Sequence, residues 1–229
     1  MNHPIRIALI PAYEPDRNFP HFVERLAEAG FCPVVVDDGS GPDYRAVFTA
    51  VSRSAYVLKH ETNRGKGAAL KTGLTYIRDS IPFILTVVTV DADGQHRVED
   101  AVKVAEASEE NPQALVIGGR RFTGKVPLRS QFGNTVTRFV FRKVSGVSVF
   151  DTQTGLRAFS SEMIGRMLSI SGERYEYEMN QLLYYGKRRL KIIEVPIVTV
   201  YEKGNRSSHF DTIKDSWRIY TNIFRFMKA

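Results

Sequence analysis

Short apolar runs alternate with stretches of helical spacing along the first 120 residues. The runs RIALIPA, PVVVDDG, AYVLKH, FILTVVTVDAD and ALVIGGR carry many β-branched residues, and turn formers adjoin them, which marks them as strands. Between them, FVERLAEAG, YRAVFTAVS, GAALKTGLTYI and VEDAVKVAEAS space their apolar residues as helices with one buried face do. This alternation predicts a mostly parallel sheet flanked by helices, a Rossmann-like half. Ligands of such sheets bind beyond the carboxyl ends of the strands. PAYEP, DDGSG, DADGQH and GGRR all follow strands at that edge.

The second half is less regular. TGKVPLRSQFG mixes Gly, Pro and basic residues as a mobile loop does, and NTVTRFVFRKVS after it has helical spacing. DTQTGLRAFSSEM reads as a turn, a short strand and a capped helix; YEYEMNQLLYYGK is helical and KIIEVPIVTV a strand. A last amphipathic helix is expected from about Thr212 to Lys228, so the chain divides into one domain over 1–211 and a terminal helix over 212–229. No repeat, low-complexity tract or linker interrupts it.

Composition narrows the class. With 229 residues, 43% of them apolar, the chain can fill the core of one α/β domain. A formal charge of +7 suggests an anionic partner, whether nucleotide, phospholipid surface or nucleic acid. Cys32 is the only cysteine, which excludes an intrachain disulfide and a thiolate metal cluster and suits a reducing, cytosolic compartment. The first apolar run is too short for a signal-peptide core, and no stretch reaches the roughly 20 apolar residues that cross a bilayer.

The chemistry concentrates at strand ends. Asp91 and Asp93 share a face of an extended backbone, and a turn at Gly94 can bring Gln95 to the same point. Hard oxygens in that pattern suit Mg²⁺ or Mn²⁺, although a bare D-x-D serves equally as an acidic turn capping the next helix. Asp37 and Asp38 repeat the arrangement one strand earlier, where a carboxylate can accept from ribose hydroxyls or a base imide, or simply cap a turn. Lys66 lies at a helix start in NRGKGAAL. That segment lacks the earlier Gly and the following Ser or Thr of a phosphate-binding P-loop, which leaves Lys66 as either a nucleotide contact or a solvated lysine.

IPAYEP, VVDDGSG, NRGKGAALKTGL, VDADGQH, IGGRRF, DTQTGLRAF, YEYEMN and NRSSHF stand in the order and spacing of family 2 glycosyltransferases of GT-A fold. Within that family the chain most resembles the dolichol-phosphate mannose synthase and polyprenyl-phosphate glycosyltransferase branch. The likeness spans essentially the whole chain. It implies a GT-A sheet with a short irregular acceptor-side half, and a divalent cation, Mg²⁺ or Mn²⁺, held at DADGQH against the diphosphate of a nucleotide sugar. Carried over by position, Pro11, Tyr13 and Asp38 contact base and ribose. Asp91 lies near ribose or metal, and Asp93 and Gln95 ligate the metal. Arg120 and Arg129 face the donor diphosphate and the acceptor phosphate, and Asp151 is an acceptor-side carboxylate.

Two positions depart from the family pattern. Pro15 stands where the branch usually carries an acid, which leaves Glu14 as a nucleotide-binding candidate displaced by one residue. Arg206 replaces a common Gly in NRSSHF, and neither it nor His209 receives a role from the resemblance. The resemblance implies transfer of a hexose or N-acetylhexosamine, from a UDP-sugar by preference, to undecaprenyl or dolichyl phosphate with inversion. A lipid phosphate monoester is largely dianionic at neutral pH, its second pKa being about 6, so it needs no strong base. A soluble saccharide acceptor, as in capsule or cell-wall synthesis, would instead require Asp151 to take a proton.

Arg129, Arg138, Arg142 and Lys143 interleave with Phe132, Phe139 and Phe141. This pattern fits either an anionic membrane surface or a core-facing aromatic stripe. The terminal helix has the same ambiguity, with Trp217, Tyr220, Phe224 and Met227 suited to a membrane, to the domain or to a second copy. Members of the branch often continue into membrane helices, and the chain stops about where these would begin. The expected place is therefore the cytoplasmic face of a membrane. A nucleic-acid-binding module fits the charge alone, since no recognition signature is present.

Overall fold

The structure is a computed structural model and describes residues 4–120, 141–142 and 148–198. Seven strands form one sheet: β1 (Ile5–Ala12), β2 (Phe31–Asp37), β3 (Tyr56–Lys59), β4 (Ile84–Thr89), β5 (Leu115–Arg120), β6 (Arg157–Ser160) and β7 (Ile192–Ile197), in the order β3-β2-β1-β4-β6-β5-β7. All neighbours pair in parallel except β6, which runs antiparallel to β4 and to β5. The helices are α1 (Phe19–Glu28), α2 (Arg45–Val51), α3 (Lys66–Ser80), α4 (Val98–Glu110), α5 (Ile164–Ser169) and α6 (Glu176–Lys187).

Both faces of the central strands are apolar, which is why these runs show no polar alternation. Ile7 and Leu9 of β1, Val87 of β4 and Ile117 of β5 pack with Leu70, Leu74, Tyr177 and Leu182 of α3 and α6. Ala8, Ile10, Val88 and Val116 point the other way, onto Val23 and Leu26 of α1 and Val104 of α4. The sheet is thus the middle of three layers. Every strand and helix expected within the described residues is present.

The reversed strand positions the site. Because β6 is antiparallel, the segment that enters it, 151–156, reaches the edge where the parallel strands end. The Thr89 hydroxyl donates to the Gly155 carbonyl at 2.8 Å and ties that segment to the end of β4. From the opposite face, the Ala68 amide donates to the Glu173 carbonyl at 2.8 Å and locks the start of α3 against the approach to α6.

Phe141 is fully buried and Arg142 exposed, so this pair of the Arg–Phe segment follows the core-facing alternative. Arg129, Arg138, Lys143, Phe132, Phe139, Arg206, His209 and the helix expected over 212–228 lie outside the described residues. No described helix is long and apolar enough to cross a membrane.

Candidate functional site

The loop from Val90 to Arg97 begins where β4 leaves the sheet, and Gly94, at φ +72°, turns it back. Neither acid of DAD caps the next helix. The cap position of α4 is Arg97, and Asp93 Oδ1 accepts the Gln95 amide at 3.1 Å instead. The acidic turn is therefore not there to start a helix.

The two carboxylates have opposite environments. Asp91 Oδ1 meets Lys66 Nζ at 2.6 Å, and Asp91 Oδ2 accepts from His96 Nε2 at 3.3 Å. Burial pushes Asp91 up, but Lys66 and then His96 outweigh it and hold the carboxyl well below the ordinary range. Asp93 has neither partner. Burial, reinforced by the charge of Asp91, raises its pKa above the ordinary value despite opposition from His96 and the Gln95 amide. Asp93 is thus the acid that a bound cation would relieve.

Lys66 is held from two sides. Its ammonium also lies 2.9 Å from the Glu178 carboxylate of α6, and its side chain is only 15% exposed, which excludes a solvated lysine. Burial acts to lower its pKa, but Asp91 and Glu178 prevail and raise it. Gly155 makes room for the acid, since a Cβ there would fall on the Asp91 carboxylate.

A second cluster stands beside the first. Asp151, with no exposed surface, receives Nε and Nη2 of Arg120, the Arg120 amide at 3.3 Å and the Gln153 amide at 3.0 Å. Glu194 of β7 accepts the Phe150 and Asp151 amides at 2.9 and 2.8 Å and so fixes the turn that carries Asp151. Beneath both clusters lies Arg157, itself 1% exposed, with Nε on the Thr154 carbonyl and Nη1 on the Glu178 carbonyl and on Gln181 Oε1 at 3.0 Å. Burial lowers its pKa, and the charges of Glu178, Asp151 and Asp91 resist that shift.

Asp38 is turned inward. Its oxygens accept His60 Nδ1 at 2.7 Å, the Arg64 amide at 2.9 Å and the Gly65 amide at 2.8 Å, and the residue is 3% exposed. The other ring nitrogen, Nε2, lies 2.9 Å from the Thr72 hydroxyl. Asp38 thus organises the turn before α3, at the same edge where the expected base or ribose contact would be made. Tyr13 and Glu14 follow β1 at the same edge. The Glu14 amide donates to Ser40 Oγ at 2.9 Å, and the hydrogen bond with Glu14 raises the Tyr13 pKa. Pro11 stays within β1, paired with Val36.

The structure thus gathers Asp91, Asp93, Gln95 and Lys66 at one point and Arg120 with Asp151 beside them; Arg129 lies outside the described residues. Sequence reasoning passed over His96, Glu178, Glu194, Arg157 and His60. Glu178 and Arg157 stood inside YEYEMN and DTQTGLRAF, but nothing in those motifs says that the two segments meet. Among the described residues no group of three or more His, Cys, Asp or Glu side chains is placed to hold a metal ion. A cation here would take Asp93 and oxygens supplied by a ligand.

Comparison with known proteins bears on this arrangement. The family model described as "Glycosyl transferase family 2" matches residues 8–214. The chain is 31% identical over 215 residues to the UDP-N-acetylglucosamine–dolichyl-phosphate N-acetylglucosaminyltransferase of Methanococcus voltae, covering 84% of each. It is 27% identical over 207 residues to the undecaprenyl-phosphate mannosyltransferase of Micrococcus luteus, covering 85% of this chain and 83% of that one. Among solved structures, glucosyl-3-phosphoglycerate synthase of Mycobacterium tuberculosis, in complex with Mn²⁺, UDP and glucosyl-3-phosphoglycerate, superposes with a TM-score of 0.72. That match covers 99% of this chain and 81% of the other at 15% identity, a likeness of fold.

Proposed function

The chain belongs to glycosyl transferase family 2, and from that premise we propose that it transfers a hexose or N-acetylhexosamine from a UDP-sugar to a polyprenyl phosphate, with a divalent cation and inversion. It is a glycosyltransferase with a GT-A-like sheet, and its relatives include enzymes named for dolichyl and undecaprenyl phosphate. The observation that carries the finer reading is the split environment of the DxD acids. Asp91 is ion-paired from within, while Asp93 forms none of the ion pairs of the described residues and stands at the carboxyl edge, where a metal–diphosphate complex would complete its coordination. Support for UDP comes from the relative named for UDP-N-acetylglucosamine.

In this reading Asp93, with Gln95 beside it, would hold Mg²⁺ or Mn²⁺, which supplies charge neutralisation at the departing diphosphate. Tyr13 and Glu14 line the nucleotide side. Arg120, steered by Asp151, directs a guanidinium toward the phosphates, and Arg129 is assigned to the acceptor phosphate. A lipid phosphate oxygen attacks the anomeric carbon as the bond to the nucleotide diphosphate breaks, and no proton has to be removed from the dianionic acceptor. A single displacement inverts the anomeric centre. The four donors around the Asp151 carboxylate favour this acceptor over a saccharide hydroxyl, which would need Asp151 as a base. An acceptor of this kind places the protein at an anionic membrane surface, in line with its net charge of +7.

The test is a thermal-shift panel of UDP, GDP, UDP-glucose, UDP-N-acetylglucosamine and GDP-mannose with and without Mn²⁺, followed by transfer to undecaprenyl phosphate. Metal-dependent stabilisation by uridine nucleotides and an inverted glycolipid product are expected. Stabilisation by guanosine nucleotides alone, or a product of retained configuration, would overturn the donor or the stereochemical assignment respectively.

A further inference from the structure

The backbone that carries Lys66 has little freedom to move. The Gly65 amide is bound to Asp38, and a Cβ on Gly65 would run into Arg174 and Glu173. The Ala68 amide is bound to the Glu173 carbonyl. The backbone is thereby clamped on both sides of the lysine, and its ammonium spans Asp91 on the DxD loop and Glu178 on α6, at 2.6 and 2.9 Å. The second oxygen of Asp91 is occupied by His96 and crowded by Gly155.

A divalent cation that sought both acids of DAD would therefore have to displace a lysine held by two carboxylates. What remains is Asp93, with which none of the ion pairs of the described residues is formed. One carboxylate falls far short of the six oxygens that Mg²⁺ or Mn²⁺ prefers. A nucleotide diphosphate changes both terms, since it brings oxygens for the metal and negative charge toward which the ammonium can turn.

We propose that Lys66 is a built-in counter-cation that withholds Asp91 from divalent metal until a nucleotide diphosphate binds, with Glu178 as the positioning residue that keeps it there. Metal and nucleotide then bind with strong mutual coupling, and by linkage each raises the affinity of the other by the same factor. The inference rests on the donor-site reading of the preceding subsection.

The experiment is Mn²⁺ binding to the full chain, followed by the paramagnetic resonance of free Mn²⁺, with and without UDP, for wild type, Lys66→Met and Lys66→Arg. Melting curves confirm that each variant is folded, and Lys66→Gln replaces the methionine variant if that one fails to fold. Removing a cation at this distance from a carboxylate changes its affinity for a positive charge by one to three decades, so UDP-free Mn²⁺ binding should tighten at least about tenfold in Lys66→Met. Lys66→Arg, which keeps the charge, should bind Mn²⁺ as weakly as wild type. A lysine that merely braced the fold would not improve metal binding when lost. If wild type binds Mn²⁺ together with UDP but Lys66→Met binds free Mn²⁺ no more tightly, the counter-cation role is overturned and the donor site stands. If wild type shows no coupling between Mn²⁺ and UDP, the donor-site reading fails and this inference with it.

Discussion

Arg120 closes on Asp151 as a fork, Nε against Oδ2 and Nη2 against Oδ1 at 3.0 Å, over a carboxylate with no solvent exposure. Breaking a buried pair by removing one charge costs more than the pair contributes, because the other charge is left uncompensated. For Asp151→Asn the loss should be about 3 kcal/mol, at the low end of the range because Arg120 keeps some exposure. Turnover should fall by roughly two orders of magnitude, since the guanidinium loses its aim as well as its partner. Arg120→Lys should lose activity too, because an ammonium cannot make the parallel pair. Urea unfolding together with single-turnover transfer checks both, and a stable, active Asp151→Asn would refute the steering role.

Asp93 carries the opposite prediction for stability. Burial and the neighbouring Asp91 disfavour its ionised form in the fold, so its pKa is raised and the folded state holds its proton more tightly than the unfolded chain does. At neutral pH that difference weakens the fold, and it vanishes once the pH is low enough to protonate the residue in both states. Asp93→Asn should therefore melt higher than wild type at pH 7 without ligand, and the gap should close below pH 4. The same substitution should abolish Mn²⁺-dependent stabilisation by UDP. A variant that melted lower at pH 7 would show that the raised pKa is not what the site imposes.

Gly155 tests whether the DxD loop and the lead-in to β6 form one structure. An alanine methyl there would land on the Asp91 carboxylate, so either the acid or the backbone tied to Thr89 must shift. Overpacking of this sort costs about 1–3 kcal/mol, and the displaced acid should also pull Lys66 out of register. Gly155→Ala should thus remain folded while losing most of its nucleotide-dependent thermal shift. An unaltered shift would mean that Asp91 needs no fixed position.

The sequence made the sheet legible because both faces of β1, β2, β4 and β5 are buried, which leaves apolar runs bounded by turn residues. DAD was legible for a different reason: acids at a strand end are hard to explain by packing. The network around them was not. Glu178 lies 112 residues from Lys66, and Glu194 lies 43 residues from Asp151, so neither pairing leaves a local pattern. The inward bonds of Asp38 were equally hidden, because a carboxylate after a strand looks the same in sequence whether it stays open or turns inward to hold His60 and the Gly65 amide. Only the placement of α3 decides between the two.

Tyr177 links that placement to a measurable pH dependence. It lies on α6 with no exposed surface, packs against Gly67 of α3, donates its hydroxyl to the Met167 carbonyl of α5 at 2.9 Å, and precedes Glu178 in the chain. Burial pushes its pKa up to about 12, with Gln181 and Arg157 acting against the shift. Because the folded pKa is the higher one, the stability it confers is intact below the unfolded value near 10 and drains away as the pH climbs toward the folded value. Tyr177→Phe loses one buried hydrogen bond, about 1 kcal/mol at pH 8. Between pH 10 and 12 the wild type should lose about 2 kcal/mol that the phenylalanine variant keeps, so the two stability curves should cross. Urea midpoints at pH 8 and pH 11.5 test this, with wild type ahead at the first and behind at the second. Parallel curves would mean that the phenol ionises in the fold as easily as in water, and that α6 is not packed on α3 closely enough to hold Glu178 against Lys66.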